Sequence, residues 1–333
     1  KELTDTNTYF NTLLFANSFS YTNITNGILP KLYDKDQKEL LENQADIKIP
    51  NNYDLKIENI DVEKNSVNSV RGRIVITNLN GVEITKLNIE DMNIQINGIT
   101  LANQKTYIDF TGTPTRYYDS YKIDSLGYIY NGEEEEKALE GKIDIQFFKD
   151  IYNYQDWQSI KKGTYQNYRL MEDIDFSGRN DIKMSVTIGR LDGNNKKLKN
   201  LNISIDSSNG GLIYWIKNSM NNVIFENISI INIDSRDYVG VIARNTAEIN
   251  NLQCTQINIE NKENTTGTGR GIIAINYGNI SNLILSDINL KCEKSNNVGA
   301  IGENYVDTIK VNNVSANNIK CFGNNYVGSI VGR

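Results

Sequence analysis

The sequence predicts an all-β protein: a C-terminal right-handed parallel β-helix, preceded by an antiparallel β-sandwich-like domain and a short helical N-terminal segment. Three observations predict the β-helix. Five glycines open short apolar runs, Gly211 in GLIYWI, Gly240 in GVIARN, Gly271 in GIIAIN, Gly299 in GAIGEN and Gly328 in GSIVGR, at steps of 29, 31, 28 and 29 residues. A period in that range marks a repeat array. Between the glycines, Val223-x-Phe225-x-x-Ile228-x-Ile230 recurs as Leu252-x-Cys254-x-x-Ile257-x-Ile259 and as Leu283-x-Leu285-x-x-Ile288-x-Leu290. Ile309-x-Val311-x-x-Val314-x-Ala316 fits the same frame. Alternation, a two-residue gap and renewed alternation describe two short strands joined by a bend, and the glycine run adds a third. The third observation is that no stretch of the repeats carries the i, i+3, i+4, i+7 spacing of a helix.

Asparagine marks the corners. Asn222, Asn251 and Asn282 each precede the first strand residue of a repeat, while Asn245, Asn276 and Asn304 close the glycine strand. Asn tolerates the left-handed backbone of a sharp corner. Coils stacked ~4.8 Å apart would let equivalent amides hydrogen-bond as a ladder. In this frame Ile228, Ile257, Ile288 and Val314 form one inward column. Cys292 and Cys321, each seven residues before a glycine, are expected to stack as a reduced pair or a bridge, with buried thiols favoured.

Residues 1–50 hold the only plausible long helical stretches, TNTYFNTLLFANSFSY and KDQKELLENQ. Residues 51–150 contain six alternating runs separated by turn residues, the spacing of a sandwich of immunoglobulin-like size. Gly127 inside one run suggests a bulge. The run Glu133–Glu136 follows the hairpin signal Asn131-Gly132 and reads as a solvated hairpin tip. Residues 151–200 read as a cap and lead-in. Asp156 caps a short helix of WQSI that covers the open solenoid end, and Leu198-x-x-Leu201-x-Ile203 joins the repeat frame at Phe225-x-x-Ile228-x-Ile230. Residues 201–333 are the repeats, expected to continue beyond Arg333 in a longer protein.

Composition limits the chemistry. The 333 residues contain no histidine, which removes every Ser-His-Asp or Cys-His triad and every HExxH zinc helix. Cys254, Cys292 and Cys321 have no CxxC spacing, and no phosphate loop is present. Thirty-five basic against 41 acidic residues give a net charge of −6, so nucleic acid is not an expected partner. No run of 18 apolar residues forms a membrane span. The chain begins KELTDTNTYF, as a mature or excised segment would.

The aromatic-rich Asp156-Trp157 segment, then NYRLMEDIDFSG, LDGNNKKLKNLNI, GL-x-x-x-I and repeated VG-x-I-x-x-N units come in an order that resembles the N-terminal regions of bacterial surface zinc metallopeptidases of the immunoglobulin A protease type. The repeats resemble the GLUG motifs of that family and of some surface adhesins. The resemblance covers residues 150–333 and implies a non-catalytic, secreted or wall-attached module that binds, orients or spaces a protein substrate, with immunoglobulin or another host protein as the partner. It implies no catalytic residue and no cofactor in this chain, since the zinc of that family sits in a downstream domain carrying HExxH. Two departures from the motif, Arg270 in place of Val before Gly271 and the long loop Glu263–Gly269 with Thr265 and Thr266, point to individual specificity.

Two other functions compete. A surface adhesin or stalk would carry the same repeats without a protease. A polysaccharide-degrading β-helix would need clustered carboxylates. Asp173 and Asp175 are the only candidates, and they read better as outward residues flanking inward Ile174. Trp215 either contacts a ligand or is buried beneath the cap, and Tyr117, Tyr118 and Tyr121 either form a binding patch or pack on one strand.

Overall fold

A computed structural model gives the fold, and the structure describes residues 55–77, 82–103, 105–130, 132–206, 210–233, 237–262 and 265–333. The helices expected within residues 1–50 lie outside these. The described residues form two compact units: one takes in those from 55 to Thr115 together with Ser120–Ile145, the other Arg116–Asp119 and those within Gln146–Arg333.

The first unit is a sandwich of seven strands: β1 (Ile57–Ser66), β2 (Ser69–Thr77), β3 (Glu83–Ile89), β4 (Met92–Ala102), β5 (Lys105–Pro114), β6 (Tyr121–Tyr130) and β7 (Glu133–Ile143). One sheet has the order β1-β2-β5-β4 and the other β3-β6-β7, with every pairing antiparallel. With the strands lettered A to G, this is the ABED and CFG arrangement of an immunoglobulin constant-type sandwich. Alternation drives it: Val70, Ile74 and Ile76 on β2, Ile108 and Phe110 on β5, and Ile123 and Leu126 on β6 are buried. Gly141 on β7 lets the sheets close, because a Cβ there would lie 2.5 Å from Ile57 of the opposite sheet.

Two sequence readings of this unit need correction. EITKLNIEDMNIQI is two strands, β3 and β4, because Asp91 turns the chain with φ 57°. Glu133–Glu136 is solvated, with only Glu135 half-buried, but it continues the hairpin as the start of β7, Glu133 standing opposite Tyr130. Its last two side chains reach across the sheet: Tyr128 of β6 donates to Glu135 at 2.8 Å, and Ser125 of β6 and Asn88 of β3 both donate to Glu136. Gly127 does mark an irregularity, a register shift between Ile84 and Lys86 on the partner strand.

The second unit is a parallel β-solenoid of about five turns. Three strand columns run along it. Val186–Ile188, Ile213–Ile216, Ile242–Asn245, Ile273–Asn276 and Ile301–Asn304 stack in the glycine column. Arg190–Asp192, Ser219–Asn221, Glu248–Asn250, Ile280–Ser281 and Val311–Asn312 form the second. The third holds the inward residues of the sequence frame: Leu198, Phe225, Cys254 and Leu285 in one row and Leu201, Ile228, Ile257 and Ile288 in the next. All eight are buried in one continuous apolar core.

Each coil turns twice through left-handed backbone, at Asn222, Asn251, Asn282 and Asn313 (φ 55–57°) and five residues later at Asn227, Gln256, Asp287 and Asn318 (φ 52–56°). The second set is the second residue of each two-residue gap. Before the first full coil, the helix α1 (Tyr154–Gln158) closes the core end. Its N-cap is Asn153 rather than Asp156: the Asn153 side chain accepts from Asp156 N at 3.1 Å, and the Asp156 carboxylate accepts from Tyr152 N at 2.9 Å. Trp157 fills the end of the core, edge-on to Phe176 at 5.8 Å.

The last coil is out of register with the frame read from sequence. Val314 pairs with Leu283, Ala316 with Leu285, Ile319 with Ile288 and Cys321 with Leu290. The inward column therefore ends on Ile319, and Val314 is not part of it. The chain takes three extra residues after Asn304 (Gly271 to Ile280 is 9 positions, Gly299 to Val311 is 12) and recovers two before Gly328 (Leu290 to Gly299 is 9, Cys321 to Gly328 is 7). The glycine spacing is preserved while the strand frame moves by three relative to the glycines, which sets Ala316 opposite Leu285, five residues beyond the Val311 that the apolar spacing put there. Cys321 thus stands beside Leu290, two residues from Cys292. A strand spacing of ~4.8 Å combined with two residues of ~3.3 Å rise separates their Cα atoms by ~8 Å, beyond disulfide reach. Both thiols are free, and burial pushes Cys292 up to about 12.

Candidate functional site

The repeat glycines and corner asparagines are architectural. A Cβ on Gly211, Gly240 or Gly271 would lie 2.2–2.4 Å from the carbonyl oxygen of the next glycine in the column, and one on Gly299 2.8 Å from that of Gly328. Only glycine fits where backbone meets backbone so closely. The first asparagine ladder is present with one altered rung: Asn251 donates to Asn222 at 2.8 Å and Asn313 to Asn282 at 2.6 Å, but Asn282 donates to Asn250 at 2.7 Å. A second ladder is buried at Asn245 and Asn276 and ends at half-buried Asn304. Asn245 donates to Asn276 at 2.6 Å and Asn276 to Asn304 at 2.9 Å. Each of the first two also closes its own corner, Asn245 onto both polar atoms of the Ala247 peptide and Asn276 onto those of Gly278.

Several candidate binding residues are structural instead. Arg270 is fully buried, and its guanidinium donates to the carbonyls of Asp237, Thr268, Gly269 and Thr266. Burial pulls it down to about 10, so it is still a cation at neutral pH and pins its own loop rather than a partner. Thr265 is buried and donates to Ile233 O at 3.0 Å, which leaves Thr266 as the exposed member of the three. The three tyrosines do not share a strand: Tyr121 opens β6 and is buried in the sandwich, whereas Tyr117 and Tyr118 lie in the non-strand segment Arg116–Asp119 of the solenoid unit. Asp173 accepts from Lys197 N and Lys199 Nζ, and Asp175 from Ser177 N and Asn200 Nδ2. Both carboxylates are engaged in holding turns. No group of three or more His, Cys, Asp or Glu placed to hold a metal ion occurs among the described residues.

Trp215 is half-buried, and α1 does not cover it. Its ring stands edge-on to Tyr165 at 5.4 Å, and its indole N–H donates to Thr246 at 2.8 Å. The Arg244 guanidinium lies 4.3 Å from the Trp215 ring and 4.9 Å from the Tyr277 ring, and Tyr277 in turn packs on Tyr305 at 4.8 Å. Lys217 covers the far side of Tyr165 at 5.0 Å. Two ring pairs, Tyr165–Trp215 and Tyr277–Tyr305, are bridged by Arg244 along the outside of the glycine column, with each cation within range of a ring quadrupole. Burial lifts the Tyr277 hydroxyl above its ordinary value, an effect the Arg244 charge partly offsets, so the hydroxyl remains a donor.

Only Trp215 of this column was legible as a candidate. A signal for two of the others was present: Tyr277 and Tyr305 follow the ladder residues Asn276 and Asn304, as Thr246 follows Asn245, so they share one outward corner offset.

A polar groove of about 470 Å³ runs along the second column, from Arg190 to Lys310 and Asn312. At its head, Asp119 gathers Arg190 (2.7 and 2.8 Å), Gln146 (2.8 Å), Asn167 (3.0 Å) and Asn218 (3.3 Å). Burial pushes the Asp119 carboxyl up, but the hydrogen bonds from Arg190, Gln146 and Asn167 outweigh it and hold the group below its ordinary value. Its stabilising contribution is therefore present above the unfolded value of ~3.9 and lost as pH falls through the lower folded value. The solenoid's urea midpoint should fall on acidification below about pH 4, and Asp119→Asn should flatten that part of the profile. An unchanged acid limb in the variant would remove Asp119 from the account.

Comparison with protein-family models, with curated proteins and with solved structures finds no match.

Proposed function

We propose that this chain is a non-catalytic binding module, an N-terminal part of a secreted or wall-attached zinc metallopeptidase of the immunoglobulin A protease type that holds a protein substrate for a catalytic domain elsewhere. The observation that carries the reading is the column Tyr165–Trp215–Arg244–Tyr277–Tyr305 on the solenoid exterior. Trp, Tyr and Arg are the residue types that dominate protein-interface energetics, and here they are pre-ordered by stacking, so little side-chain entropy is lost on binding. The ordered motifs Asp156-Trp157, Arg169–Gly178 and Leu191–Asn195 support the family assignment, and they supply the plug and the first turns on which the column rests.

Purified chain is expected to bind immobilised immunoglobulin A without cleaving it. Trp215→Ala and Arg244→Ala should each weaken binding by roughly 10- to 100-fold while the melting temperature stays near that of the parent. Binding unaffected by both substitutions would move the interface elsewhere. Absence of binding, or cleavage by the purified chain, would overturn the reading.

A further inference from the structure

We infer that the polar groove on the second strand column binds an oligosaccharide chain. Its floor is one residue per coil at constant register: Asn221, Asn250, Ser281 and Asn312. These side chains are short and uncharged, and each can both donate and accept. The centre is fixed in place, since Asn250 Oδ1 accepts from Ser281 at 3.0 Å and from Asn282 at 2.7 Å. Arg190 is held at one end by Asp119 and Ser219, and exposed Glu248 and Lys310 stand along the same groove.

The chemistry of the groove selects among ligands. An apolar molecule would find only Ile249 and Ile280, whose side chains are turned into the core. A protein partner would find none of the aromatic anchors that interfaces use, which lie instead on the glycine column. A hydroxyl-rich chain loses water on docking and needs a donor–acceptor group for each hydroxyl it buries. The floor presents a polar group at every coil, ~4.8 Å apart, with the Asn250 amide left as donor and the Ser281 oxygen as acceptor, so a polymer meets a polar partner at each step. This site is separate from the ring–cation column and does not depend on the protein-binding reading.

The test is isothermal titration of the purified chain with chitohexaose, cellohexaose, xylohexaose and hexagalacturonate. At least one should bind with a dissociation constant below ~1 mM. Asn221→Leu, which fills the floor, and Glu248→Ala, at an exposed position that leaves the fold untouched, should each weaken it by ~10-fold or more. Trp215→Ala should leave sugar binding within ~2-fold, so failure of the protein-binding reading and failure of this one are read separately. No binding by any of the four hexasaccharides, or full affinity in Glu248→Ala, would overturn the inference.

Discussion

Trp157→Ala is expected to remove about 3–5 kcal/mol from the stability of the solenoid unit, the range for truncating a fully buried aromatic. Trp157 has no exposed surface, packs edge-on against Phe176 at 5.8 Å and donates its indole N–H to Lys183 O at 3.3 Å. The short strands Lys149–Ile151 and Tyr168–Leu170 continue the second column to that end, and α1 closes the core there with Trp157 beside the smaller, less deeply buried Tyr154. Loss of Trp157 leaves a void and opens Ile174, Phe176 and Leu198 toward water. The chain has two tryptophans, so in the variant Trp215 alone reports, and its emission follows the solenoid without signal from the sandwich. A urea-derived loss below about 1 kcal/mol would mean that the core end is closed by something other than Trp157.

Gly271→Val should cost about 3 kcal/mol or more, at the upper end for overpacking, and lower the solenoid's melting temperature by roughly 6–12 °C. The first atom of the new side chain would lie 2.2 Å from Gly299 O, with Ala300 O at 2.9 Å and Gly302 N at 3.0 Å. All three are backbone, so no side chain can turn aside to relieve the contact. Gly299→Val meets backbone at 2.7 and 2.8 Å and should cost less. Equal effects at the two positions, measured by thermal scans of both variants, would show that coil separation does not set the tolerance.

The glycine frame was legible because close backbone approach leaves one residue type at one offset. The bend was legible for a related reason: the left-handed corners at Asn227, Gln256 and Asp287 fall where the two-residue gap put them. The last coil was misread because Ile309-x-Val311-x-x-Val314-x-Ala316 and Val314-x-Ala316-x-x-Ile319-x-Cys321 satisfy the same apolar spacing. Pattern alone cannot choose between two frames when an insertion at one corner is offset at the next. Arg270 was misread because its partners are peptide carbonyls, which leave no mark in the sequence. The ring–cation column escaped notice because Trp215 and Arg244 come from within strands while Tyr277 and Tyr305 come from corners, so their contact is visible only once the coils are stacked.

The ladder Asn245–Asn276–Asn304 has a consequence for how such a chain can change over generations. Each rung gives one amide hydrogen to the next coil and offers one oxygen to the previous coil. Replacing Asn276 by alanine would strand one Asn245 amide hydrogen in a dry interior and cost the half-buried Asn304 oxygen its donor. Inserting or deleting a whole coil strands none, because every coil brings its own donor and acceptor. Gene duplication can therefore lengthen or shorten the solenoid freely, while point substitution at the rungs is closed to it. Variation is left to the corner loops, where the repeat length already drifts between 28 and 31 residues.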